Sequence, residues 1–254
     1  MSSRNLLILA LAATGASPAQ ADDVCSATSG AQIKPLVELY TSEGCSSCPP
    51  ADRWLSTQRE RKDINLLAFH VDYWDYIGWK DRFASPAYSQ RQRERVQAAG
   101  ADTVYTPQVM VGSDVRTSWQ SSSRFDSALA SGSGEPGASI KLSVSAQPSG
   151  LEVTLGANLT GQQTSPAQIW LAQYVDDQTS EIAAGENRGS VLRHDRVVRK
   201  LWGPWPVKLE SELHRQPVEI PGGAWGLVAF VQDGQGANLQ SLSLPSNSCR
   251  DLVK

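Results

Sequence analysis

Methionine and histidine are scarce in this 254-residue chain, at two and three residues. Copper handling usually draws on more of both, so that class is set aside. Basic residues are not in surplus either. Lys and Arg number 23 against 26 Asp and Glu, a formal charge of -3, with no charge run at either end. Nucleic acid is therefore not an indicated partner. The Gly-rich phosphate loop, HExxH and GxSxG are all missing, which removes the common signatures of nucleotide, zinc-protease and serine-hydrolase chemistry. No stretch reaches the roughly 20 apolar residues of a membrane span.

One short apolar run, residues 6–13, follows Arg4 and precedes Ala19-Gln20-Ala21. A positive start, a short apolar segment and a small-x-small site make a signal peptide, expected over 1–21 with cleavage after Ala21. A lipoprotein anchor needs a cysteine directly after the cut. Cys25 lies four residues beyond it, behind Asp22 and Asp23. The expected product is exported, periplasmic or secreted, with no membrane anchor.

Cysteine is the other sparse residue: Cys25, Cys45, Cys48 and Cys249. Oxidising compartments permit disulfides, and four cysteines allow three pairings. Cys45 and Cys48 are close enough to pair as a CxxC. Cys25 and Cys249 remain, near the two ends, and chain termini often lie close together. A structural Cys25–Cys249 disulfide is expected, on the order of 4 kcal/mol by loop entropy. The alternative is two free thiols.

What is present is organised around Thr41-Ser42-Glu43-Gly44-Cys45-Ser46-Ser47-Cys48-Pro49-Pro50-Ala51-Asp52. Residues 36–40 read as a buried strand leading in, and 48–58 as a helix leading out. Proline is tolerated in the first helical turn only, so Pro49 and Pro50 place the helix start at Ser46 or Ser47. A strand over 64–71, an aromatic loop over 72–79, a helix over 87–98 behind Ser85-Pro86, a strand over 104–111 and a helix over 121–130 follow. That alternation is an α/β unit. Small, polar, breaker-rich residues over 131–137 form a linker. Beyond them 139–146 and 151–157 alternate with a period of two, and 167–175, 191–198, 217–220, 226–232 and 239–244 are further strand candidates separated by turn signals. An antiparallel β-sandwich of about seven strands is expected there. The plan is a signal peptide 1–21, an α/β domain 22–131, a linker 132–138 and a β-rich domain 139–254.

A CxxC at a helix start can close and open as a disulfide without moving the backbone. The first cysteine feels the free N–H groups and the positive end of the helix, which favour its thiolate. Cys45 is thus read as the attacking thiol and Cys48 as the resolving one. Glu43 opposes this, since a nearby carboxylate raises a thiol pKa. Thr106-Pro107, a proline early in a strand, reads as a cis-proline loop facing the thiols, although only about one in twenty X–Pro bonds is cis.

These motifs resemble the bacterial DUF1223 family of exported proteins with a thioredoxin-like domain. The likeness is carried by the segment Val37 to Asp52 around the CxxC, His70-Val71-Asp72-Tyr73-Trp74-Asp75-Tyr76, Gly78-Trp79-Lys80-Asp81 and Tyr105-Thr106-Pro107-Gln108. In the β-rich half it is carried by Gly185-Glu186-Asn187-Arg188-Gly189 and His194-Asp195-Arg196-Val197-Val198-Arg199. The resemblance implies a thioredoxin-like α/β domain followed by an antiparallel β-sandwich-like domain. It places Cys45 and Cys48 at the redox position and Thr106 and Pro107 at the substrate-facing cis-proline position. It implies no cofactor and no known substrate. Gly44 stands where thioredoxin itself has tryptophan.

Two functions follow from this reading. One is an exported thiol–disulfide oxidoreductase acting on protein thiols, disulfides or a redox partner protein through a mixed disulfide. The other is a non-catalytic binding or assembly protein stapled by the CxxC. A zinc site would need two further ligands, which Cys25 and Cys249 could supply only if both ends of the chain folded over the motif. Glu38 is either a proton relay behind the thiols or, more commonly for such a residue, a carboxylate paired with a cation. His70 with Asp72 either tunes the thiols or is a satisfied core residue. Tyr73, Trp74, Tyr76 and Trp79 are a substrate rim or local core. His194-Asp195, among Arg193, Arg196 and Arg199, reads as a charged strand face, solvated or at a domain interface.

Overall fold

The computed structural model describes residues 24–148, 150–161, 165–208 and 212–252. The expected signal peptide lies outside them. Thirteen strands and three α-helices occupy the described residues. The order begins β1 (Val24–Thr28), β2 (Leu36–Thr41), α1 (Pro49–Gln58), β3 (Asn65–His70), α2 (Pro86–Ala98), β4 (Gln108–Val111) and α3 (Ser122–Ser131). It continues β5 (Ala138–Gln147), β6 (Gly150–Leu159), β7 (Ala167–Val175), β8 (Gln178–Glu181), β9 (Val191–His194), β10 (Val197–Val207), β11 (Glu212–Val218), β12 (Trp225–Asp233) and β13 (Asn238–Pro245).

Seven strands form one sheet in the order β13-β12-β7-β10-β3-β2-β4. Four more form an antiparallel sheet, β1-β5-β6-β11, and β8 pairs with β9 alone. This overturns the expected α/β thioredoxin-like domain followed by a β-sandwich-like one. The molecule is mostly β, and strands from both halves of the sequence share the large sheet. The joint is a parallel pairing of β10 with β3 at Val197 and Ala68. Local periodicity identifies strands but carries no record of which edge receives them, so this pairing was not readable. The sandwich is met in part, because the four-stranded sheet packs on the large one over a shared apolar core.

Alternation along β2 sorts the layers. Val37 and Leu39 face α1 and α3, where Ala51, Leu55, Phe125 and Leu129 cover them. Leu36 and Tyr40 face the opposite side, where α2 contributes Tyr88 and Val96. Both faces are covered, which is why β2 and β3 are buried at every residue. The four-stranded sheet lies on the α1/α3 side, against β7, β10 and β12 through Ile169, Leu171, Val197, Leu227 and Ala229.

The expected strand over 191–198 is two strands. Arg196, with φ 56°, turns the chain between β9 and β10. This break sends β9 to pair with β8 and β10 into the large sheet.

Candidate functional site: a buried disulfide among ionisable side chains

Cys45 and Cys48 are joined in a disulfide, and both residues are 0% exposed. Cys25 and Cys249 form the second disulfide, with Cα atoms 5.3 Å apart. They are therefore not ligands for a metal at the CxxC. Among the described residues no group of three or more His, Cys, Asp or Glu is arranged to hold a metal ion. Two disulfides suit an extracellular or periplasmic location.

Cys48 itself is the N-cap of α1, with Pro49 and Pro50 after it. The cap therefore falls one or two residues later than Ser46 or Ser47. The prolines also remove two N–H groups that a helix start normally leaves free. The next N–H, on Ala51, bonds the Cys48 carbonyl at 2.9 Å. The local backbone thus offers fewer free donors to a Cys45 thiolate than an ordinary helix start.

The Thr106–Pro107 bond is cis, and the loop meets the CxxC. The Ser47 hydroxyl donates to the Thr106 carbonyl at 3.4 Å and lies 3.4 Å from the Cys45 sulfur. The Trp74 indole N–H donates to the Thr106 hydroxyl at 2.7 Å. Trp74 also accounts for Gly44: a Cβ there would sit 3.0 Å from the Trp74 Cβ. Of the aromatic loop, Trp79 and Tyr73 are anchored by hydrogen bonds, to Glu43 and Gln92, whereas Tyr76 is 82% exposed.

The turn joining β8 to β9 closes over the cysteines. The Asn187 amide donates to the carbonyls of Glu43 and Cys45 at 2.8 and 3.0 Å. The Glu186 carboxylate accepts from the Ser46 N–H at 3.2 Å. Glu186 and Asn187 carried only the family resemblance in the sequence, with no chemical signal of their role.

Beside the disulfide lies a buried ionisable cluster: Glu43, Asp52, His70, Asp81 and His194. His70 Nδ1 is 2.6 Å from Asp81, which also accepts from the Glu43 N–H at 2.9 Å. The partner of His70 is therefore Asp81 and not Asp72. Burial disfavours a charged Asp81, but the charge of His70 and its hydrogen bond outweigh this and hold the carboxyl at about 2. Burial likewise works against a charged His70, yet Asp81, with Asp52 and Glu43, raises its pKa. Glu43 pays for burial too, but His194 and the Trp79 indole N–H, 2.7 Å away, pull it below the usual carboxylate range. Asp52 goes the other way. Burial raises its pKa more than the charges of His194 and His70 lower it.

His194 sits between two of these carboxylates, 3.5 Å from Glu43 and 3.7 Å from Asp52. Of the two expected positions for this charged strand face, solvated or at an interface, the solvated one does not hold: His194 is buried where β9 meets α1. The break at Arg196 turns it inward, and its ring packs edge-on against His70, centroids 4.9 Å apart. Glu38 lies on the α2 side of the sheet. It accepts from Arg91 at 3.0 Å and from Tyr40 at 2.8 Å, and Arg95 stands 3.4 Å away. It is a structural ion pair, and burial is outweighed by the two guanidinium charges in setting its lowered pKa.

A mostly β molecule, stapled between its termini and enclosing a CxxC disulfide among buried carboxylates and imidazoles, is the class that fold and site define. The chain belongs to the DUF1223 family, described as a protein of unknown function, whose model matches residues 36–232. It is similar to an Agrobacterium tumefaciens protein of known crystal structure, with 25% identity and a TM-score of 0.61 over 84% of this chain and 94% of that one. HBP35 of Porphyromonas gingivalis is similar in fold, at 13% identity and a TM-score of 0.61 over 85% of this chain and 76% of that one. No curated protein matches.

Proposed function

We propose that the protein is a periplasmic thiol–disulfide oxidoreductase that exchanges electrons with protein thiols or disulfides through Cys45 and Cys48. The observation that carries this reading is the position of the disulfide. It opens α1 and meets the cis Thr106–Pro107 loop through Ser47. Cys45 is the exchanging sulfur and Cys48 the resolving one. Thr106 and Pro107 flank the incoming partner, and the exposed Tyr76 gives it an aromatic contact.

The reaction is an ordinary exchange. A partner thiolate attacks Cys45, the Cys45–Cys48 bond breaks, and Cys48 leaves as a thiolate. The partner's second thiol then attacks the mixed disulfide, releasing Cys45 and oxidising the partner. The reverse sequence oxidises this protein and reduces a partner disulfide.

A second reading has its own support. Complete burial of both cysteines is what a structural staple in a binding or assembly protein would show. Trapping separates the two. Cys48→Ser should accumulate mixed disulfides through Cys45, and Cys45→Ser should not. If Cys45 of the reduced protein resists alkylation and Cys48→Ser captures nothing, the staple reading stands.

A further inference from the structure

Among the described residues, seven buried polar atoms in and beside this ionisable cluster have no partner at full hydrogen-bond distance and angle: Thr41 Oγ1, Glu43 Oε1, Asp52 Oδ2, His70 Nε2, Ser180 Oγ and both ring nitrogens of His194. Unpaired buried polar groups are costly, and a native structure keeps few of them without a reason. Here they are contiguous. His194 stands between Glu43 and Asp52, and its ring rests on that of His70. The separations of 3.5 and 3.7 Å are slightly longer than a hydrogen bond and close with a small side-chain movement.

Asp52 follows Cys48 by four residues in α1, and its N–H bonds the Cys48 carbonyl at 3.1 Å. Residues at that spacing share one helix face. Both are buried, on the side of α1 that meets β9 rather than solvent. A thiolate released at Cys48 would therefore form on the helix face that carries the Asp52 carboxyl, in a region that already holds the charge of Glu43 and the His70–Asp81 pair. Like charge disfavours a buried thiolate. Pro49 and Pro50 have removed two N–H groups that would otherwise stabilise it. Such a leaving group needs a proton delivered on site.

We propose that Asp52 delivers that proton to Cys48, and that His194, between Asp52 and Glu43, restores it. This rests on the oxidoreductase reading above. In the reduction of the protein by a dithiol, the donor thiolate forms a bond to Cys45 and the Cys45–Cys48 bond breaks. The electron pair stays on Cys48, which takes the Asp52 proton and becomes a thiol. The donor's second thiol loses its proton to the Asp52–His194 pair and attacks its own sulfur in the mixed disulfide. Cys45 leaves and is protonated from solvent. Two electrons and two protons have passed from dithiol to disulfide, and Asp52 is again protonated. The chain thus recruits His194, from a strand 146 residues beyond Cys48 in sequence, as a positioning residue for the CxxC.

The test is the pH dependence of Cys45–Cys48 reduction by dithiothreitol in the full, folded protein. With an internal acid, the rate stays nearly level as pH rises from Asp52's range toward the dithiol's own pKa, because loss of the acid offsets gain of donor thiolate. Asp52→Asn should follow donor thiolate alone. It should be about tenfold slower near pH 6 and approach wild type at high pH. Asp52→Glu should restore the level profile in part, and His194→Gln should lie between. A wild-type rate that climbs tenfold per pH unit throughout overturns the relay even if no variant folds. So does an Asp52→Asn profile parallel to wild type. A wild-type disulfide that dithiothreitol cannot reduce in the folded state overturns the relay and the oxidoreductase reading together. Reduction with the wrong profile overturns the relay alone.

Discussion

The side-chain amide of Asn187 donates a hydrogen bond to the backbone carbonyl of Cys45 at 3.0 Å, across 142 residues of sequence. A turn of the β8–β9 hairpin is thereby fixed on the first cysteine of the CxxC. Removing the amide frees two carbonyls and loosens the cover. Asn187→Ala should raise the rate of Cys45–Cys48 reduction by a small dithiol roughly tenfold, at a stability cost of about 1–2 kcal/mol. Timed reduction followed by alkylation, beside urea unfolding, measures both. An unchanged reduction rate would show that the hairpin does not limit access.

The His70–Asp81 pair should give stability a defined pH window. Asp81 is depressed to about 2 from 3.8. Its contribution is therefore present above pH 3.8 and lost as pH falls through about 2. His70 is raised above 6.5, so its contribution is full below 6.5 and lost as pH rises through its folded value. Both shifts describe one interaction, worth about 2 kcal/mol. Denaturation midpoints should be highest between about pH 4 and 6.5 for this pair. In His70→Gln the decline above neutrality should be absent. A decline of the same size in that variant would assign the pH dependence elsewhere.

Glu38 offers a contrast, a buried carboxylate away from the disulfide's polar cluster. It is held by Arg91, with Arg95 3.4 Å away. Glu38→Gln leaves two cations with less compensation, and should cost about 3–5 kcal/mol. The pH profile of disulfide reduction should keep its wild-type shape. A changed profile would move Glu38 into the redox machinery.

Gly44 is set by space. Its absent side chain admits Trp74, whose indole holds Thr106. Gly44→Val should displace Trp74, lower the yield of mixed disulfide in the Cys48→Ser background, and redshift Trp fluorescence. Normal trapping by the double variant would separate Trp74 from partner capture.

The Cys25–Cys249 bond closes almost the whole described chain and sits where β1 meets the segment after β13. Cys25→Ser with Cys249→Ser should lose about 2–5 kcal/mol. The reduction rate of Cys45–Cys48 should change little, since Cys25 and Cys249 pack against the apolar core between the two sheets and not against the ionisable cluster. Thermal unfolding and reduction kinetics read the two effects separately.

The sequence by itself determined the local pieces. The prolines at 49 and 50 started α1 within a residue or two. Ser85-Pro86 opened α2 with the Ser85 hydroxyl accepting from Ala87. Period-two alternation placed β5 and β6, and apolar runs between turn signals placed β7, β12 and β13, because these signals depend only on residues a few positions apart. The CxxC and Thr106-Pro107 were also legible as motifs. The tertiary structure decided everything that joins distant segments. It inserted β10 beside β3, joining strands from both halves of the sequence in one sheet. It turned His194 inward at Arg196, paired His70 with Asp81 rather than with Asp72, and set Glu38 against α2. Each of these depends on which faces meet after the strands pair. A hydrophobic period specifies that a face is buried, but not which distant side chain it will be buried against.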